Sequence, residues 1–108
     1  MDSRKQLIWG HAAARPTVDE LRASRERMNR AGAEFLRIDL ETARTFVDIA
    51  RHAYDDLCKK RNCRSARRAY DTVIKLIDKV DWHAKDGVAV KRELNRLKKE
   101  LEGLGETF

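Results

Sequence analysis

Large apolar side chains recur every three or four residues through the middle of the chain, which is the period of a helix that buries one face. The most regular stretch predicts a helix over about 36–58, with a seven-residue repeat. Its apolar positions are Leu36, Leu40, Ala43, Val47, Ala50, Tyr54 and Leu57. Cations at 59–61 suit the negative end of a helix dipole, and Asn62 suits a turn. The pattern therefore predicts a helix end close to residue 58.

Two further helices are predicted from the same period. One covers about 64–80 and the other about 87–103. Their apolar faces comprise Ala66, Ala69, Tyr70, Val73, Ile74, Leu76, Ile77 and Val80 in the first, and Val90, Leu94, Leu97 and Leu101 in the second. Asp86 is placed to cap the last helix, and Gly103 and Gly105 stand where C-terminal caps are common. Because the turn at Asn62 is short, the helices that flank it must be antiparallel neighbours.

A helix over about 18–31 precedes this array. Thr17 and Glu20 have the spacing of a capping box, which marks its start. Asn29 and Gly32 weaken the helical pattern, but no proline interrupts it, so the sequence leaves open whether this helix is separate from the next or continuous with it. The prediction is an all-α fold: an antiparallel three-helix bundle (about 36–58, 64–80 and 87–103) with this additional N-terminal helix.

Length and composition restrict the class of protein further. A chain of 108 residues with one Pro and five Gly fits a single helical domain and has too few turn residues for a many-stranded β fold. We expect residues 17–108 to form that domain and residues 1–16 to form a loosely ordered N-terminal segment. The apolar run at 7–9 is too short for a signal peptide, and no stretch is apolar enough to span a membrane. The expected location is the cytoplasm, without a membrane partner.

Charge is distributed unevenly along the chain. The formal net charge is +6, and four of these six excess charges fall within residues 41–80. Six cations without an intervening acid concentrate there: Lys59, Lys60, Arg61, Arg64, Arg67 and Arg68. Clustered Lys and Arg attract phosphate, so the basic turn 59–68 is a candidate site for an anion or nucleic acid. The competing interpretation is a solvated helix end whose cations pair with Asp55, Asp56 and Asp71, since the cluster holds no aromatic residue to stack on a base.

The two cysteines, Cys58 and Cys63, flank the predicted turn. Across a helix hairpin two thiols can approach bonding distance, and neighbouring cations lower a thiol pKa, so a redox switch is one hypothesis. The other is a pair of small, semi-buried apolar residues with free thiols. His52 adds a third soft ligand, but its spacing from Cys58 places the two on poorly matched helix faces. We therefore predict no metal and no other cofactor.

Two stretches resemble known proteins. The segment Ala66-Arg67-Arg68-Ala69-Tyr70-Asp71-Thr72-Val73, together with the helix that contains Phe46, resembles a tetratricopeptide-like hairpin over about 35 positions. Because no second copy follows, this resemblance implies one helical hairpin and not an array. The run Phe35-Leu36-Arg37-Ile38-Asp39-Leu40-Glu41-Thr42-Ala43, with the same segment, resembles small bacterial helical proteins of unknown function and implies no activity.

Motifs for catalysis are missing from the sequence: it has no glycine-rich phosphate loop, nucleophile elbow or HExxH zinc motif. Acids on the predicted helices have cations within helical reach, so ion pairing accounts for them. The apolar stripes are broad, and Leu36, Phe46, Ile49 and Ile74 widen them beyond the need of three helices. We expect a non-enzymatic protein-interaction or scaffold module whose partner is another protein or a second copy. Binding of nucleic acid or an anion at 59–68 is the alternative, and a thiol switch is the third hypothesis.

Overall fold

The computed structural model describes residues 15–108, which form an all-α fold. Helix α1 runs through Val18–Arg51, α2 through Asp56–Leu76, and α3 through Ala84–Gly103, with a short 3₁₀ helix at Ile77–Lys79. The predicted N-terminal helix and the one after it are therefore a single continuous helix. The expectation of a loose segment at 1–16 falls, except for its last two residues, outside the described part of the chain. Among the described residues, no helix combines the length and hydropathy that crossing a membrane requires.

Ion pairs between helices show their relative directions. Arg37 Nη2 lies 3.4 Å from Asp86 Oδ2 near the start of α3, and Arg51 Nη2 lies 3.9 Å from Glu100 Oε2 near its end. Because the two contacts follow the same order and spacing on both helices, α1 and α3 are parallel. Helix α2 connects them and runs in the opposite direction. The result is an up-down-up three-helix bundle.

One cluster of buried apolar side chains joins the three helices. It comprises Leu36, Leu40, Ala43, Val47, Ala66, Tyr70, Val73, Ile77, Val90, Leu94, Leu97 and Leu101. All of these lie on the stripes predicted from the sequence. Trp82 packs against the cluster, and its indole Nε1 donates a 2.9 Å hydrogen bond to the Ile77 carbonyl. This bond satisfies the polar atom of a large, partly buried side chain where the chain leaves α2.

The turn between α1 and α2 lies at 52–55, so the predicted turn at Asn62 is wrong. Asp55 caps α2, because its carboxylate accepts a 2.6 Å hydrogen bond from the Cys58 amide. The apolar period runs past the true end of α1: Tyr54 and Leu57, expected in the core, are 98% and 68% exposed. Asn62 lies inside α2, and its amide donates to the Cys58 carbonyl. The boundaries predicted at 58 and 64 are corrected accordingly.

The other helix ends follow the sequence more closely. Thr17 and Glu20 form the predicted capping box, with both hydrogen bonds at 3.1 Å. Helix α3 ends at Gly103 as predicted, and Gly105 has a φ of 103°, which favours glycine. Helix α3 begins three residues earlier than expected, and Asp86 is not its cap. That carboxylate lies in the first turn, where it pairs with Arg37.

Candidate functional site

The N-terminal half of α1 projects beyond the end of α2. The Asn29 side chain makes two hydrogen bonds to the backbone of Asp81, in the segment after α2. Its Nδ2 donates to the Asp81 carbonyl, and its Oδ1 accepts from the Asp81 amide, each at 2.6 Å. A Cβ at Gly32 would lie 3.2 Å from Val80 Cγ2, so glycine permits this close approach. Helix α1 begins at Val18, about 16 Å along its axis before Asn29. None of residues 18–35 is buried.

An open groove of about 700 Å³ lies between this projecting half and the end of α2. Its apolar wall on α1 consists of Leu21, Met28 and Phe35, which expose 56%, 73% and 51% of their surface. They recur every seven residues and so form a strip about 21 Å long on one helix face. Leu76 and Val80 line the opposite side. We call this feature the α1 groove.

The charged groups along the α1 groove are mainly positive. Arg25 on α1 and Lys79 after α2 line it, together with the acidic Asp81. Asp81 is also the residue whose backbone Asn29 holds. The groove thus combines an apolar strip with a net positive lining. Such a surface can hold an amphipathic segment whose polar groups are acidic.

Sequence reasoning missed the α1 groove. It interpreted Asn29 and Gly32 as weak points of a helix, whereas the structure uses both to dock the chain that leaves α2. The available signal was the spacing of Leu21, Met28 and Phe35, which keeps a helical repeat on a face separate from the core stripe. An apolar repeat with no matching partner stretch indicates an unpartnered face.

The six predicted site cations lie along α2 and not at a turn. Four are exposed (Lys60, Arg61, Arg64 and Arg68), and two are partly buried (Lys59 and Arg67). Asp55 and Asp56 were expected to pair with Lys59 and Lys60, but neither pair is among the ion pairs of residues 15–108. Asp55 serves as the N-cap instead. The predicted pair of Arg67 with Asp71 is confirmed, at 3.1 Å.

Arg67 differs from its neighbours because it holds the C-terminal residues. Its Nη1 donates a 2.6 Å hydrogen bond to the Thr107 carbonyl and lies 3.6 Å from Glu106 Oε2. The guanidinium carbon is 3.8 Å from the centre of the Phe108 ring. That ring in turn meets Tyr70 edge to face, with 5.1 Å between centroids. Arg67 is therefore engaged in the fold, and the cations available to a ligand are the others.

Cys58 and Cys63 do not face each other across a hairpin, because both lie on α2. Five residues apart on one helix, their Cα atoms are about 8–9 Å apart by helix geometry. A disulfide spans less than about 7 Å between Cα atoms, so this helix disfavours a bond between them. Both thiols are free. Within the described part of the chain, no three His, Cys, Asp or Glu side chains are grouped to hold a metal ion.

Burial raises the pKa of the Cys63 thiol; Glu106 adds to this effect, and Lys59 opposes it. The expected lowering of the thiol pKa by nearby cations is therefore wrong for Cys63. Burial also raises the pKa of Tyr70, with Arg67 opposing the increase and Asp71 and Glu102 adding to it. Both side chains are packed in their neutral forms, so neither is a ready nucleophile at neutral pH.

These two groups predict a loss of stability at alkaline pH. A folded pKa raised above the ordinary value of 9.0 for Cys63, or 10.0 for Tyr70, gives stability that is fully present below that value and lost as pH rises through the folded pKa. We expect the free energy of unfolding, from urea titrations, to fall above pH 9. C63A should abolish the decrease in the free energy of unfolding that begins at pH 9. Y70F should abolish the decrease that begins at pH 10. Identical pH profiles for the protein and both variants would contradict the assignment.

Comparison with known proteins gives no relative: no family model, no curated protein and no solved structure matches the chain. The resemblances to a tetratricopeptide-like hairpin and to small bacterial helical proteins stay predictions.

Proposed function

We propose that this chain is a non-enzymatic interaction module that binds another protein through the α1 groove. The occupant that fits is an amphipathic helix with acidic flanks. The observation that carries the proposal is the exposed strip of Leu21, Met28 and Phe35, placed where α1 runs past the end of α2. Contiguous apolar surface of this kind is characteristic of an interaction site.

The shape of the groove favours a helix as the occupant. The strip is about 21 Å long, which corresponds to four turns of a helix. Leu76 and Val80 line the side of the groove at the end of α2. A helix laid here would continue the line of α2 along α1, with its apolar side chains against Met28. Helix-in-groove binding commonly uses apolar anchors at such spacings.

Charge favours an acidic partner over a second copy of the chain. Arg25 and Lys79 line the groove, and the chain as a whole carries a net charge of +6. A second copy would bring the same cations together, and like charges across an interface are costly. Acidic residues beside the apolar anchors of a partner would instead complement both cations.

A designed peptide tests this proposal. The probe is a helix-forming peptide of about 18 residues, about 27 Å long, with leucines on one face and glutamates on its flanks. A matched peptide carries lysines in place of the glutamates. We expect saturable one-to-one binding of the acidic peptide to the full chain by fluorescence polarisation. M28E should weaken it at least about tenfold, because it puts a carboxylate on the apolar strip facing the acidic peptide.

Met28 is 73% exposed, so M28E should leave the fold intact. The matched control is V88E, which changes a 58% exposed apolar residue on α3. Equal binding of both peptides, or equal effects of M28E and V88E, would contradict the proposal. Dimerisation that M28E abolishes would assign the groove to a second copy. Nuclear Overhauser contacts between the Trp9 indole and the Met28 methyl group would assign it to the chain's own first residues.

A further inference from the structure

The outward face of α2 carries a line of cations distinct from the α1 groove. Arg61, Arg68 and Lys75 are seven residues apart, and Arg64 lies beside them. A seven-residue spacing returns to the same helix face, so these side chains follow one line about 21 Å long. All four are exposed. We call them the α2 cation row.

The α2 cation row faces away from the core. The buried residues of α2, including Ala66, Tyr70 and Val73, occupy the opposite side of the helix. Ser65 and Thr72 stand between the cations, and their hydroxyls donate to the carbonyls of Arg61 and Arg68. The line from Arg61 through Arg68 to Lys75 therefore contains no acidic residue, and Asp71, seven residues after Arg64, borders it. Its cations are presented together on one unobstructed face.

These cations keep their charge available. Among the ion pairs of residues 15–108, none involves a member of the α2 cation row. Two acids are three residues from a member of the row: Asp71 pairs with Arg67, and Asp78 is in none of the ion pairs of residues 15–108. The predicted set at 59–68 is thereby revised: Arg61, Arg64 and Arg68 stay in it, and Lys75 joins them. Arg67 leaves it because it holds the C-terminal residues, and Lys59 and Lys60 leave it because they lie off this line of the helix. Four like charges in one line attract a regularly spaced polyanion.

We propose that the α2 cation row binds the phosphate backbone of double-stranded nucleic acid without regard to sequence. A 21 Å length of duplex carries about 12 phosphates, enough to engage every member of the row. Contacts from Arg and Lys to phosphate position a protein but carry no base information. Single strands are bound on aromatic platforms, and the row has no aromatic member. A membrane-surface helix needs a continuous apolar face beside its cations, whereas the large exposed apolar residues of α2, Leu57 and Ile74, are 17 positions apart and lie on different faces.

Salt dependence tests the proposal directly. We would measure binding of the full chain to a labelled 20-base-pair duplex of mixed sequence by fluorescence anisotropy. Four phosphate contacts predict a slope of about −3.6 for log affinity against log salt concentration. Affinity should then fall about 150-fold between 50 and 200 mM salt. R61Q/R68Q should reduce the magnitude of the slope by about 1.8, since each lost phosphate contact removes about 0.9.

The matched control is K91Q/R92Q, which removes two exposed cations from α3 and changes net charge equally. A uniform charge effect would alter both double variants alike, whereas the proposal requires the larger loss for R61Q/R68Q. Circular dichroism should show an unchanged helical content for both. A slope near zero, tighter binding of single strands of the same length, or binding to vesicles of 30% phosphatidylserine in phosphatidylcholine without binding to the duplex would overturn the proposal.

Discussion

Replacing Leu97 with alanine is expected to lower the free energy of unfolding by about 3 kcal/mol. Leu97 is 1% exposed and belongs to the cluster that joins α3 to the other two helices. The substitution removes apolar atoms from the core and leaves a cavity that the neighbouring helices fill only in part. A domain of this size has a stability of about 5–15 kcal/mol, so the loss is a large share of the total. The melting temperature should fall by about 15 °C.

Urea and thermal unfolding followed by circular dichroism measure this effect. V88A provides the control on the same helix, because Val88 is 58% exposed. Surface changes of this kind stay within about 0.5 kcal/mol. If L97A and V88A had similar effects, the position of α3 against α1 and α2 would be wrong. A large loss for L97A alone supports the burial of this face of α3 against the other two helices.

The core face of α3 could be predicted from the sequence in full. Val90, Leu94, Leu97 and Leu101 repeat at helical spacing, and all four are buried. Periodicity is a dependable signal here because it sums over many residues, and because the apolar face of a helix in a small bundle packs into the single core. The buried residues of α1 and α2 lie on predicted stripes for the same reason, although the stripe of α1 also includes the exposed Tyr54 and Leu57.

The turn between α1 and α2 could not be found by periodicity. Tyr54 and Leu57 continue the apolar spacing of α1 although both are exposed. One local interaction starts α2: the Asp55 carboxylate accepts the Cys58 amide hydrogen bond. A cap is a sequence signal from a single side chain, and a long apolar pattern that continues through it gives a stronger signal for an unbroken helix. Misplacing this turn also put Cys58 and Cys63 on two helices instead of one.

The candidate sites depend on tertiary relations that the sequence does not display. The α1 groove exists because α1 extends beyond the end of α2. Its position is set by the contact between Asn29 and Asp81, which are 52 residues apart. The sequence shows where positive charge concentrates, but not which of these cations the fold engages. Whether a cation is engaged depends on distant residues, as Arg67 and Phe108 show. Charge counts locate a patch, and contacts decide which of its side chains can meet a ligand.

Arg67→Ala is expected to lower the free energy of unfolding by about 2 kcal/mol and to release the C-terminal residues from the bundle. The estimate combines the loss of a charged hydrogen bond to the Thr107 carbonyl with the loss of the cation–π contact to Phe108. The ion pairs with Asp71 and Glu106 add little, since pairs open to solvent are weak. Arg68→Ala, at the exposed neighbouring position, should cost less than about 0.5 kcal/mol.

Unfolding titrations give the energies, and nuclear Overhauser contacts between the Phe108 and Tyr70 rings report whether the C-terminal residues stay docked. R67A should abolish those contacts and R68A should keep them. The two variants should exchange roles in duplex binding, because Arg68 belongs to the α2 cation row and Arg67 does not. R68A should lower the affinity for the duplex more than R67A does, although each variant removes one positive charge. Equal effects of the two variants in both assays would contradict the division of these neighbouring arginines into one that holds the fold and one that faces a ligand.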